Sequence, residues 1–330
     1  MLNNHFKTIV CTVTEAKGVS TSEPIQALWS GYGEIVRVGL LGSKLESIIL
    51  KYIIFPTQSN HPRGWNTDFS HKRKIKSYDV EMHWYRDWSE QCDDACRVAK
   101  CYAAKDMNDE CVIVLEDLDA SGFPDRFSSL DKIGAKLCLS WLANFHAQFM
   151  NIKPKGLWKI GTYWHLDTRP DEFAAMAEGR LKRATARIDE TLNNCQYQTL
   201  VHGDAKVANF CFSSDFNKVA AVDFQYVGGG CGMKDVAYFL GSCLEEKQCQ
   251  LWQNELLDYY FIELKKALDK VGKQLDWQAL ESEWRTMFPI AWTDFYRFLL
   301  GWMPAHYKIN AYTKSLSIDV LDQLEKSNPE

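Results

Sequence analysis

LVHGDAKVANFCFSSDFNKVAAVDF, residues 200–224, decides the reading of this chain. His202-Gly203-Asp204 opens a loop, Lys206 stands two residues after Asp204, and Asn209 three after Lys206. A second carboxylate, Asp223, closes the apolar run Val219-Ala220-Ala221-Val222, which reads as a strand. Asp204 is placed to orient a hydroxyl and take its proton. Asn209 and Asp223 offer the hard oxygen donors that Mg²⁺ prefers, and Lys206 brings a point charge that can meet a γ-phosphate. Phosphoryl transfer asks a protein for positioning and neutralised charge rather than covalent chemistry, and this set supplies both. An isolated His-Gly-Asp is an ordinary turn; with Lys206, Asn209 and Asp223 in frame a turn alone does not account for it.

Upstream, Ile25 to Phe55 reads strand, turn, strand, turn, strand. Gln26–Trp29 leads into Ser30-Gly31-Tyr32-Gly33, Ile35–Val38 precedes the Gly42-Ser43-Lys44 turn, and Ser47–Tyr52 follows. Short β-rich runs parted by glycine turns predict an antiparallel meander. Thr57–Lys76 is polar and lacks periodicity, a helix is expected from about Ser77 to Trp88 with more helix after it, and Cys111–Leu115 reads as a further strand. After Gly122 the pattern becomes helical. Ile133, Leu137, Trp141, Leu142, Phe145 and Phe149 recur at helical spacing, as do Leu251, Leu256, Leu257, Tyr260, Leu264 and Leu268 before Gly272. Leu280–Trp302 carries Pro289 in its middle, which predicts two helices or one kinked helix. A small β-rich lobe thus precedes a larger helical one.

The 330 residues suffice for two packed lobes, and 46% hydrophobic residues provide a sizeable core. A net charge of −5 argues against nucleic acid or an anionic membrane surface as the main partner. No run approaches the roughly 18 apolar residues of a membrane span, and MLNNHFKTIVCTVTE has no basic head followed by an apolar run. The cytoplasm is the expected location. Eleven cysteines are scattered and odd in number. Cys92, Cys96 and Cys101 cluster without a CxxC pair, so reduced, mostly buried thiols are expected over a zinc site.

The pattern HGDxKxxN followed by Asp-Phe resembles the catalytic and metal loops of the protein-kinase-like superfamily. The Gly after His202 resembles its small-molecule branch of aminoglycoside phosphotransferases, choline kinases and ecdysteroid-kinase-like proteins. Asp223-Phe224-Gln225, where protein kinases carry Asp-Phe-Gly, looks most like the ecdysteroid-kinase-like group. The resemblance implies an α+β, bilobal fold: a nucleotide-binding lobe over 1–117 with an antiparallel sheet, and a mainly helical catalytic and substrate-binding lobe over 118–330. It implies ATP and Mg²⁺ as cofactors and a small hydroxyl-bearing molecule as acceptor. Lys51, in the third predicted strand, takes the place of the lysine that meets the α- and β-phosphates, and Glu81 that of its helix partner. Gly31-Tyr32-Gly33 stands where a glycine turn covers the phosphates, although it departs from the full glycine pattern of protein kinases. Glu116 and Leu118 fall where the chain crosses between lobes and backbone groups hold adenine. Asp235 resembles the helix-start Asp that braces the catalytic loop; a simple helix N-cap is the alternative, and the two roles are compatible.

Two features bear on the acceptor. Arg63, Lys72, Arg73, Lys74 and Lys76 form a basic segment, either a solvated loop or a contact for an anionic group. Most of Trp277, Trp284, Phe288, Trp292, Phe295, Tyr296, Phe298 and Trp302 are expected to be core at helical spacing. Some of them can line a pocket for a bulky apolar alcohol or, with Asp294, a quaternary ammonium. Two other functions fit the frame. A protein kinase is disfavoured by the lack of an Ala-Pro-Glu triplet after Asp223 and by the shortness of 228–232 as an activation segment. A nucleotide-binding pseudokinase acting as scaffold or sensor is disfavoured by intact Lys51, Asp204, Asn209 and Asp223.

Overall fold

The computed structural model describes residues 2–28, 31–54, 68–107 and 110–326. Arg63, with the rest of 55–67, lies outside the described residues, as do Trp29 and Ser30. The elements are, in order, α1 (Asn4–Thr14), β1 (Gly18–Ala27), β2 (Gly33–Leu41), β3 (Ser47–Ile54), α2 (Asp68–Asp87), β4 (Cys101–Asp106), β5 (Glu110–Glu116), α3 (Lys132–Gln148), α4 (Pro170–Ala175), α5 (Arg180–Asn193), β6 (Thr199–Val201), β7 (Phe210–Phe212), β8 (Val219–Ala221), β9 (Gly228–Gly230), α6 (Met233–Cys243), α7 (Glu246–Lys270), α8 (Trp277–Trp302) and α9 (Ala311–Lys326). The chain divides into two compact units: Met1–Asp125 with Cys211–Gln225, and Arg126–Phe210 with Tyr226–Glu330. This is the α+β architecture expected, an antiparallel sheet in one unit and mostly helices in the other.

In the first unit the sheet order is β1-β2-β3-β5-β4, and the registers given are all antiparallel. Side chains alternate between the two faces of a strand. Val36, Val38 and Leu40 of β2, Ile48 and Leu50 of β3, and Val112 and Val114 of β5 therefore form one apolar face. The α1 residues Phe6, Ile9 and Val10, with Leu2 just before the helix, cover that face. Lys51 is one residue past Leu50 and so belongs to the opposite face, where its ammonium meets α2. The segment Cys211–Gln225 joins this unit through Val98, which bridges Ala221, and Asp125, which bridges Phe212.

The second unit holds α3 to α9, packed largely on one another, and the short antiparallel pair β6–β9, with α3 against β6 and Thr199 opposite Gly230. Trp164, Tyr238, Phe295, Phe298 and Leu299 form one of its apolar clusters. Beside it a fully buried ion pair joins Arg297 to Asp294 at 2.7 Å, and Asp294 also accepts from Trp164 Nε1 at 3.0 Å. Both oxygens of Asp294 are thus committed inside the core, which removes it as the partner of a bound ammonium.

Several expectations change. The helix read from Ser77 begins at Asp68, so Lys72, Arg73, Lys74 and Lys76 lie on α2 rather than in a loop. These residues give no apolar period but are competent helix formers, and the buried Tyr78, Val80, Trp84 and Tyr85 anchor the helix they extend. The residues of α1 and the first part of β1 carry too weak a pattern to announce an element, and where more helix is expected after Trp88 the chain forms two short 3₁₀ turns and then β4, whose residues pair antiparallel with β5. Leu280–Trp302 lies within one continuous helix with Pro289 inside it. Ile133 and Leu251, read as core, are exposed at the starts of α3 and α7. All eleven cysteines are free thiols. Among the described residues no group of three or more His, Cys, Asp or Glu is placed to hold a metal. Nor is any helix among them long and apolar enough to cross a membrane.

Candidate functional site

The first unit gathers Lys51, Glu81 and Asp223. Lys51 Nζ donates to Glu81 Oε2 at 2.6 Å and stands 4.0 Å from Asp223 Oδ1. The side chains of Lys51 and Glu81 are 6% and 3% exposed, whereas that of Asp223 is 34% exposed. Burial pushes the Glu81 carboxyl above its ordinary range, and the Lys51 ammonium works against that push. Tyr78 presents its ring 5.8 Å from Lys51 Nζ and 4.5 Å from Lys74 Nζ.

Asp223 is carried on a backbone that α2 holds from below. Phe224 stacks on Trp84, with centroids 4.4 Å apart and planes 14° from parallel, and meets the edge of Tyr85. Gln225 Oε1 accepts from Lys74 Nζ at 2.8 Å and from Ser77 Oγ at 3.3 Å. Asp223 itself stands at φ 67°, a left-handed conformation that aspartate tolerates better than most side chains. The turn between β1 and β2 belongs to the same unit. Gly33 has φ 141°, and a Cβ there would fall 2.0 Å from Tyr52 O, so only glycine fits. Gly31 is at φ 75°, and a Cβ there would meet no atom of the described residues within 4 Å. Tyr32 between them is buried and hydrogen bonds through its hydroxyl to His71 of α2.

Glu116 and Leu118 lie apart from this triad. Both oxygens of Glu116 accept from Arg97 Nη2, at 2.6 and 2.7 Å, and Glu116 accepts from the Lys100 amide at 3.0 Å; Leu118 is buried. Between them Asp117 accepts from Arg37 Nε and Ser47 Oγ, both at 2.7 Å, and Arg37 also pairs with Asp119. These contacts tie the end of β5 to β2 and β3.

The second unit gathers Asp204, Lys206 and Asn209. Asp204 Oδ2 accepts from Lys206 Nζ at 3.1 Å and from Asn209 Nδ2 at 3.2 Å; Asn209 Nδ2 also donates to Asp204 O at 2.8 Å. Tyr238 completes the set, its hydroxyl donating to Asp204 Oδ1 at 3.2 Å. Burial, with Tyr163 and Asp204 adding to it, raises the Tyr238 phenol well above its ordinary range, so it remains a donor at neutral pH.

The loop backbone is held by Asp235, which accepts from the amides of His202 at 2.6 Å and Gly203 at 2.9 Å. Asp235 is fully buried, and His146 Nε2 stands 3.2 Å from its Oδ2 while His146 Nδ1 contacts Tyr260 Oη at 2.8 Å. The α6 N-cap position is Gly232, so Asp235 braces the loop and does not cap its own helix. Gly203 is at φ 80°, and a Cβ there would lie 2.0 Å from Tyr226 O. His202 Nδ1 accepts the Asp204 amide at 3.2 Å, a loop-supporting contact.

Tyr238 joins the site without a sequence expectation for it, and Lys74, expected only as part of a basic segment, meets Gln225. Tyr238 carried a usable signal: it lies three residues after Asp235 on a helix, hence on the same face. The Lys74–Gln225 contact spans so many residues that no local pattern marks it.

The chain has likenesses among known proteins. No curated protein sequence matches it significantly. Solved structures similar to it include an amicoumacin kinase in complex with AMP-PNP, Ca²⁺ and Ami, with a TM-score of 0.54 and 12% identity over 99% of this chain and 95% of that one. A microcompartment-associated aminopropanol kinase has a TM-score of 0.54 and 16% identity over 97% of this chain and 98% of that one. At these identities the likeness speaks to fold, and it is the bilobal protein-kinase-like fold. The family model described as ecdysteroid kinase-like matches residues 43–158 and 159–273. Those spans take in Lys51, Glu81, the His202–Asn209 loop, Asp223 and Asp235, and the chain belongs to the ecdysteroid kinase-like family.

Proposed function

We propose that the chain is an ATP- and Mg²⁺-dependent phosphotransferase that moves the γ-phosphoryl group of the nucleotide to a hydroxyl of a small molecule. The observation that carries this reading is Asp204: a carboxylate with donors on both oxygens, from Lys206, Asn209 and Tyr238, on a loop whose amides are fixed by Asp235. Such a carboxylate is oriented before the acceptor arrives. Family membership supports the same chemistry.

In this reading Asp204 accepts the proton of the acceptor hydroxyl as its oxygen bonds to the γ-phosphorus and the bond to the β-phosphate bridging oxygen breaks, releasing ADP. Lys206, already at the carboxylate, neutralises charge on the transferred group. Lys51, held by Glu81, meets the α- and β-phosphates, and the Gly31-Tyr32-Gly33 turn covers them. Glu116 and Leu118 keep their assignment at the adenine through the backbone of that segment.

The donor chemistry fits Mg²⁺. The Asp223 carboxylate is partly open, and Asn209, with its amide nitrogen turned to Asp204, presents its carbonyl oxygen on the other side. Mg²⁺ is commonly held by one or two protein oxygens together with substrate phosphates rather than by an all-protein cage. When bound, it neutralises charge on the phosphates.

Thermal unfolding with ATP and ADP, with and without Mg²⁺, on wild type and Asp223→Asn tests the reading. A ligand at about a thousand times its Kd adds roughly 4 kcal/mol. A Mg²⁺-dependent stabilisation that weakens in the variant is expected. No shift with either nucleotide would overturn the assignments of Lys51 and Asp223.

A further inference from the structure

The second unit holds a cation that the proposed reaction does not use. Lys308 lies between α8 and α9, and its Nζ stands 5.1 Å from the ring centroid of Tyr238, 5.5 Å from that of Phe295 and 6.0 Å from that of Tyr307. Ring faces attract cations, and a box of them is a recurrent means of recognising a quaternary ammonium. Here the chain fills such a box with its own side chain.

The place of the box gives it meaning. Tyr238, whose ring lies under Lys308, is the residue whose hydroxyl donates to Asp204 Oδ1 at 3.2 Å. Phe295, Tyr307 and Lys308 also line a cavity of about 260 Å³, with Trp292 and Tyr296 among its other walls. An ammonium held at that wall repels a second cation beside it and offers N–H donors to oxygen, while the carboxylates of Glu245 and Glu246 stand elsewhere in the lining.

We propose that Lys308 is an internal cation that sets the acceptor class, closing the box to alcohols that carry an ammonium group and admitting neutral or anionic ones, to whose oxygen atoms it donates. The word acceptor rests on the phosphotransferase reading above; the ligand preference of the box does not.

The test is binding, not turnover. Choline and neohexanol, its neutral carbon isostere, are titrated by NMR into the full chain without nucleotide, as wild type, Lys308→Ala and Lys308→Met. Wild type is expected to bind neohexanol more tightly than choline. Lys308→Ala empties the box and reverses the order, with choline gaining roughly tenfold or more. Lys308→Met, which removes the charge while keeping the bulk, loses the discrimination, and it decides the matter if the alanine variant fails to fold. Wild type binding choline as tightly as neohexanol overturns the proposal. So does the wild-type order in a folded variant, or no choline binding to a Lys308→Ala chain that unfolds at the wild-type temperature. Failure of the phosphotransferase reading shows separately, as no Mg²⁺-nucleotide stabilisation, and leaves this ligand order standing.

Discussion

In the first unit one ammonium, that of Lys51, stands between two carboxylates, Glu81 at 2.6 Å and Asp223 at 4.0 Å. In the second, one carboxylate, that of Asp204, collects donors from Lys206, Asn209 and Tyr238. The first group is assembled from a strand, a helix and a distant segment, and its core pair is almost dry. The second comes mostly from one short loop, and its geometry is set by the two amides that Asp235 holds. Breaking the first leaves a charge stranded in a poor solvent. Breaking the second disturbs orientation while leaving the rest of the unit intact. Stability should therefore report on one group and turnover on the other.

The largest expected effect tests the second group. Asp204→Asn keeps the shape but loses the proton acceptor, and ADP release with water or an added alcohol as acceptor is expected to fall about 10²–10⁴-fold. The Mg²⁺-nucleotide stabilisation should survive. Turnover near the wild-type rate would remove Asp204 from the role of base and erase the contrast drawn above.

Next comes the first group. Lys51→Met leaves Glu81 buried without its cation and should cost about 3–5 kcal/mol in urea unfolding at neutral pH. Burial raises the folded-state titration of Glu81 above its unfolded value. Its contribution is therefore greatest below the unfolded value and is lost as pH rises through the folded one. The deficit of Lys51→Met should accordingly shrink in acid, and the double variant with Glu81→Gln should recover most of it at neutral pH. A single variant as stable as wild type would mean that the buried pair does not define the first group.

The smallest effect concerns Lys308, a partly buried cation. Burial lowers its ammonium to about 8, against opposing attraction from Cys243 and Asp204, while Lys206 adds to the lowering. Between about 8 and the ordinary lysine value the unfolded chain binds more protons. Wild-type stability should thus rise relative to Lys308→Met across that window, by about 2–4 kcal/mol in all. A flat difference between the two unfolding curves would place Lys308 in water.

The two groups also differ in how well the sequence discloses them. Asp204, Lys206 and Asn209 lie within one turn of chain, so their spacing carries the chemistry by itself. Lys51 and Glu81 are ordinary residues on ordinary elements, and only resemblance to a family singles them out. The meander was legible because β2 and β3 each bury one face against α1 and because glycine turns part the strands; β1, which buries no residue, shows only at its end. The start of α2 was not, because its polar first turns rely on contacts such as Lys74 with Gln225 and Tyr32 with His71, which no periodicity announces. Lys308 left no signal, since a lysine in a polar connection looks the same whether it faces water or three rings.

The left-handed backbone of Asp223 has an evolutionary consequence. Glycine and asparagine share with aspartate a tolerance for positive φ, while other side chains add a backbone penalty to the loss of the carboxylate. If Asp223 holds a metal as proposed, a descendant of this chain released from that selection can therefore change position 223 to asparagine or glycine with the least harm to its fold. Substitutions there would record loss of chemistry before loss of structure, and the first mark of a relative drifting toward a purely binding role should be sought at that position.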